Sequence, residues 1–186
     1  KSLPSISLLC FDTDGSLIVR RNFTPAEVSA KKATFALPKS AAGKSVEFYA
    51  IANTTVGDIA DKAALLARKE TSAAVYNGTF AEVSAAAKRS GGFLMSGSAT
   101  KTVTAGASTD VAITLKLDVA KIAVQSSLSD DFASKYPGKI KVNSAKISRA
   151  ASQTPYFGGT IASGAMTYTH TQTPQEDAGK YNSLFY

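Results

Sequence analysis

The chain has 186 residues, of which 44% are hydrophobic and 19% charged. That length suits one globular domain, or one and part of another, burying roughly 70% of its unfolded surface, and the composition excludes disorder as the default. A formal net charge of +7 raises nucleic acid or an anionic surface as a partner, but the basic pairs Arg20-Arg21, Lys31-Lys32, Arg68-Lys69 and Lys88-Arg89 are spread along the whole chain, which argues against a basic stripe that would displace counterions from a polyphosphate.

Residues 5–11 read as a strand, and Asp12-Thr13-Asp14-Gly15-Ser16 supplies turn chemistry, with Gly15 able to take positive φ. Residues 17–20 return as the second arm of a hairpin. Asp12 and Asp14 also open like a calcium loop, but the glycine comes too early and no glutamate closes a 12-residue loop. Cys10 lies inside the apolar run and reads as a small buried hydrophobe; that position also makes it a poor site for lipid attachment. Residues 32–37 and 45–53 form the next strand pair, separated by Pro38 and Gly43. In the second, Val46, Phe48, Ala50 and Ala52 alternate with Glu47, Tyr49, Ile51 and Asn53, the pattern of an interior strand with a partly covered outer face.

The period then changes. Thr55-Val56-Gly57-Asp58 resembles a capping box, and Val56, Ile59, Ala60, Ala63 and Ala67 follow at helical spacing, which predicts a helix over 56–68. Thr79-Phe80-Ala81-Glu82 repeats the capping logic, with Phe80, Val83 and Ala87 on one face and Gly91-Gly92 as the stop. Two short helices thus interrupt a β protein.

Phe93 to Gly97 leads into a strand at 100–104 and a turn at Ala105-Gly106. Met95, beside Phe93 and Leu94, reads as packing. Residues 110–125 form a long strand whose apolar phase slips: Val111, Ile113, Leu115 and Leu117 fall on one face, Ala120, Ile122 and Val124 on the other. The slip at Asp118 predicts a bulge or a strand crossing between two packed sheets, hence a β-sandwich. Tyr136-Pro137-Gly138-Lys139 is a turn, and 140–150 another strand, with Lys139 and Lys141 opposite Ile140 and Val142. From Gln153 onward Gly158-Gly159, Gly164 and Pro174 mark a loop or interdomain connection, which ends on 182–186, the opening of a further strand. The expected organisation is a mainly β domain over 1–152, followed by a connection and the start of a missing or truncated second domain over 153–186.

Catalytic signatures are lacking. The single histidine, His170, sits in the polar stretch 167–173 and reads as an exposed loop residue, leaving no imidazole base for a nucleophile. One Cys and one His cannot satisfy zinc. Asp130-Asp131 and Glu176-Asp177 are adjacent pairs, whose side chains on a strand point to opposite faces. No phosphate-cradling glycine motif occurs. The expectation is therefore no enzyme, with no catalytic, cofactor-binding or metal residues and no cofactor. Tyr156-Phe157 and Tyr181 are the aromatic candidates for a ligand surface, against packing beneath a loop. No signal peptide and no continuous apolar span of ~18 residues is present, so the chain reads as soluble with its export signal removed.

Four phrases recur in a telling order: LLCFDTDGSLIVRR, VEFYAIANTT, GFLMSGSATKTVTAG and VAITLKLDVAKIAV. Together they resemble the N-terminal domain of the Bacteroidales fimbrillins, type V pilins of the FimA and Mfa kind, over about residues 5–150. Met95-Ser96-Gly97 and Val119-Ala120-Lys121-Ile122 are the most specific portions. The resemblance implies a transthyretin-like antiparallel β-sandwich, export as a lipoprotein precursor, display at the outer membrane, and assembly into a fimbria by strand exchange with other subunits. In that family an Arg- or Lys-directed protease removes a leading strand, and a neighbour's strand fills the groove. A surface lipoprotein that binds a carbohydrate, or a host glycan or protein, without polymerising is the alternative on the same architecture.

Overall fold

The computed structural model describes residues 3–71, 92–138, 140–161, 164, 166–171 and 181–185. It is mainly β, with antiparallel sheets and short helices. The chain divides into two compact units: one comprises Lys1–Glu70, Gly91–Val119 and Gln153–Ile161, the other Thr71–Ser90, Ala120–Ser152 and Ala162–Tyr186.

In the first unit the expected hairpin forms. β1 (Ile6–Phe11) pairs antiparallel with β2 (Leu17–Asn22), and Gly15 takes φ 87° in the turn between them. β1 is buried along its whole length, the consequence of its uninterrupted apolar sequence. On its other side it pairs with β3 (Ser45–Ala52), which pairs in turn with the strand Met95–Thr102. β3 is thus the interior strand its alternation predicts.

Its two faces carry different cores. Leu9 and Phe11 join Ile51, Val56, Ile59, Leu65, Leu94 and Tyr156 on one side, while Leu8, Cys10, Val46, Phe48 and Ala50 join Ala41 on the other. Fully burying a side chain of the size of Leu, Ile or Phe contributes about 1.5–3 kcal/mol, so this two-faced sheet is the main source of the unit's stability.

Several expectations are corrected. A helix, α1 (Pro25–Ala30), follows β2, where no element was expected. Thr24 accepts from the Glu27 amide, the Glu27 carboxylate accepts from the Thr24 amide, and proline occupies the first turn. Residues 32–37 are not a strand: both edges of β3, their expected partner, are taken by β1 and by Met95–Thr102. The helix expected over 56–68 shortens to α2 (Lys62–Leu66), capped by Asp61, whose carboxylate accepts from the Ala64 amide at 2.7 Å. The Arg20 guanidinium takes the carbonyls of Val56 and Gly57, which holds that stretch out of a helix while Val56 and Ile59 still reach the core. The second expected helix, around 79–90, lies outside the described residues.

β4 (Lys69–Thr71) makes a short separate ladder with a strand near the end of the chain, and β5 (Met95–Thr102) carries the sheet outward. The long strand over 110–125 is broken. Residues 110–115 join no ladder; only β6 (Lys116–Leu117) pairs with β5. The sheet order is β2-β1-β3-β5-β6. After a bend at Asp118 the chain leaves this unit at Val119 and enters the other, where β7 (Ile122–Ser126) begins. The phase slip at Asp118 therefore marks a change of unit.

In the second unit α3 (Phe132–Lys135), unforeseen in the sequence, starts at Asp131, which pairs with Lys135. β8 (Ser144–Ala150) begins four residues later than expected, and Ile140 is exposed. Among its described residues, the expected connection from Gln153 contains three strands. β9 (Gln153–Pro155) is the partner of β4 and belongs to the first unit; β10 (Met166–Thr171) pairs with β8, and β11 (Tyr181–Phe185) with β7. Alternating Thr residues in β10 suit a pleated surface, and Tyr168 supplies the buried anchor.

Candidate functional site

A cavity lies against one face of the five-stranded sheet, whose residues there are buried apart from half-buried Met95. Ile6 and Leu8 of β1, Phe48 and Ala50 of β3, and Met95 of β5 form the floor of an apolar groove of about 990 Å³ within the first unit. Its walls are two extended segments. In the first, Ala33, Phe35 and Leu37 are half-buried and alternate with exposed Thr34 and Ala36; in the second, Val111, Ile113 and Leu115 are half-buried and alternate with exposed Ala112 and Thr114. Both have the side-chain period of a β-strand.

Neither wall has a strand's hydrogen bonds. Among the described residues, no backbone–backbone hydrogen bond involves 33–37 or 111–115. Among the described residues their N–H and C=O groups have no backbone partner, the Thr114 carbonyl being seated against Gly97.

Local sequence places each wall. The first is launched by Lys31, whose φ of 53° turns the chain out of α1 while its amide donates back to Glu27 and Val28. It is tied down at its far end by Pro38, by the buried Ala41 in a 3-10 turn, and by reciprocal bonds linking Gly43 and Lys44 to Val103. The second wall follows a turn at Gly106, φ 69°, in which the Thr104 amide donates to Thr109 Oγ1 at 2.9 Å. It ends at Asp118, whose amide donates to the Leu94 carbonyl and whose Oδ1 accepts from Ser96 Oγ at 3.1 Å. Burial pushes the Asp118 carboxyl up to about 6, helped by the nearby Glu70 charge and opposed by the Ser96 hydrogen bond. Its Oδ2 is buried with no hydrogen-bond partner.

The residues singled out in the sequence are placed elsewhere or serve packing. Asp12 and Asp14 are engaged by their own turn. The Thr13 amide, with Lys44, holds the Asp12 carboxyl below its usual range, and Ser16 does the same for Asp14. Cys10 is fully buried, which pushes its thiol up to about 12. Met95 packs in the core as expected and also contributes to the groove floor. His170 stands on β10, opposite Ala145, and not in a loop. Asp130 and Asp131 lie in the turn leading into α3, so the strand geometry expected for them does not apply. Tyr156 is buried in the first core, and Phe157 meets Tyr49 edge to face at 4.9 Å; both are packing residues. Tyr181 lies on β11, and Glu176-Asp177 lie outside the described residues. Among the described residues, no three His, Cys, Asp or Glu side chains gather as metal ligands.

The groove itself was invisible to sequence reasoning. Its two walls are legible as alternating segments, but alternation predicts paired strands, and a missing partner leaves no trace in either segment. An extended polypeptide laid along the groove could satisfy the free backbone groups of a wall while filling the apolar floor with alternate side chains. Comparison with family models, with curated proteins and with solved structures finds no match to this chain.

Proposed function

We propose that this protein is a structural or adhesive subunit of a cell-surface fimbria, assembled by β-strand complementation between subunits. The single observation that carries this reading is the apolar groove bounded by two extended walls that have no backbone partner among the described residues. A groove of that kind is a high-energy surface. Water can solvate unpaired N–H and C=O groups, but only a strand can pair them and bury the half-exposed wall side chains at the same time. The ordered resemblance to the fimbrillins supports the same reading, and with it a transthyretin-like sandwich completed by the incoming strand. On this reading the chain comes from a lipoprotein precursor displayed at the outer membrane, and its partners are other fimbrial subunits.

The test is direct. A capped peptide of alternating Thr and Val, about seven residues long, should raise the melting temperature of the full chain by roughly 5–10 °C at a hundredfold excess over its Kd. Amide exchange should slow in 33–37 or 111–115. No thermal shift at saturating peptide, or a shift without protection of either wall, counts against complementation.

A further inference from the structure

The groove has a sign. Besides its apolar floor and walls it is bordered by Lys31, Lys32 and Lys39, against one acid, Asp110. All four are exposed. Among the described residues, none of the three lysines lies within ion-pair distance of a carboxylate, although Lys44, Lys62 and Lys135 elsewhere in the chain each have one. The lysines are not clustered by chance on one turn. Lys31 and Lys32 precede the first wall and Lys39 follows it, so positive charge brackets the apolar alternation of Ala33, Phe35 and Leu37 at both ends.

Resting on the complementation reading, we infer that the groove's occupant is an acidic-flanked amphipathic strand: an extended peptide with about three alternating apolar residues and carboxylates on either side of them. Each element of that description comes from the site. The walls are about five residues long, roughly 17 Å of extended chain, which accommodates about three inward side chains. The wall backbone groups, unpaired among the described residues, call for a polypeptide, since an acyl chain has nothing to pair with them. The uncompensated lysines favour carboxylates at the ends and disfavour a basic strand, giving specificity and faster encounter more than raw affinity.

The experiment uses the full chain and three fluorescent peptides that share one Thr-Val core and differ only in flanks of paired Glu, Gln or Lys. Binding is read by anisotropy at low and high salt, on the natural chain and on a Lys32→Glu/Lys39→Glu variant. The substituted positions are exposed, so circular dichroism and melting temperature should be little changed. At low salt the Glu-flanked peptide should bind roughly tenfold tighter than the Lys-flanked one, with the Gln-flanked peptide between them. Salt above ~0.3 M should shrink that gap, and the charge-reversed variant should lose or invert it. Equal binding of all three peptides overturns the charge inference and leaves complementation standing. Failure of every peptide overturns both, and binding of oleate in their place would identify the groove as a lipid site.

Discussion

Gly97 and Thr114 approach so closely that a Cβ built on the glycine would collide with the threonine carbonyl oxygen, and would lie 3.1 Å from Cγ2 of Ile113. This contact separates the second groove wall from the sheet. One residue pair further along, Ser96 and Lys116 are in regular register between β5 and β6; at Gly97 the pairing stops, and the chain lies over the strand instead of beside it. Gly97→Ala should therefore displace 111–115. The obstacle is backbone and cannot swing aside, so we expect a loss of about 2 kcal/mol or more in urea unfolding, within the range for overpacking. A loss below about 0.5 kcal/mol would show that the wall is free to move.

The helix that precedes the first wall, α1, is doubly capped at its N-terminus. Thr24 and Glu27 cap each other's backbone, and Glu27 also accepts from Arg21 at 2.7 Å. Thr24→Ala should cost about 1 kcal/mol, whereas Thr24→Ser should cost only a few tenths. Equal losses in the two variants would deny the hydroxyl its role.

A charge placed on a wall should separate folding from function. Ile113 is half-buried against the second core and lines the groove. Ile113→Asp should lower the melting temperature of the free chain modestly, because the side chain remains near solvent. It should also abolish stabilisation by the Thr-Val peptide, since the occupied groove would enclose the carboxylate. Retained peptide stabilisation in this variant would place the binding elsewhere.

The Cys10 thiol is enclosed by the second core and held protonated by burial. In the folded chain at pH 8 iodoacetamide should modify it at least roughly a hundredfold more slowly than in urea, because both access and thiolate are lacking. Rapid native alkylation would mean that this face of the sheet opens easily.

Asp118 predicts an acid-side gain in stability. Its folded value of about 6 lies above the unfolded value near 3.9, so ionisation costs the folded chain free energy. That cost is fully present above pH ~6 and is relieved as the pH falls toward ~4. The carboxyl is only partly buried and therefore screened, so the gain should be about 1 kcal/mol. Asp118→Asn keeps an acceptor for Ser96 and should be more stable than the natural chain at pH 7.5, with the pH 4–6 slope flattened. An unchanged slope would assign that pH dependence to other carboxylates.

Local sequence determined a good deal of this protein. The uninterrupted apolar run of β1, the turn residues that follow it, and the alternation of β3 specify a hairpin and an interior strand because period-two burial is written in consecutive residues. The capping box at Thr24 is equally local, and the phase slip at Asp118, expected as a bulge or a sheet crossing, coincides with the passage of the chain from one unit to the other.

Only the tertiary structure decided which alternating segments became strands. A ladder needs an accessible edge: β1 and β5 occupy both edges of β3, and the Gly97–Thr114 contact takes the chain over β5 instead of beside it, so that 33–37 and 111–115 have no backbone partner among the described residues. The same sequence pattern serves a paired strand and a groove wall alike, because alternation records which side chains face the core and says nothing about where the backbone hydrogen bonds go.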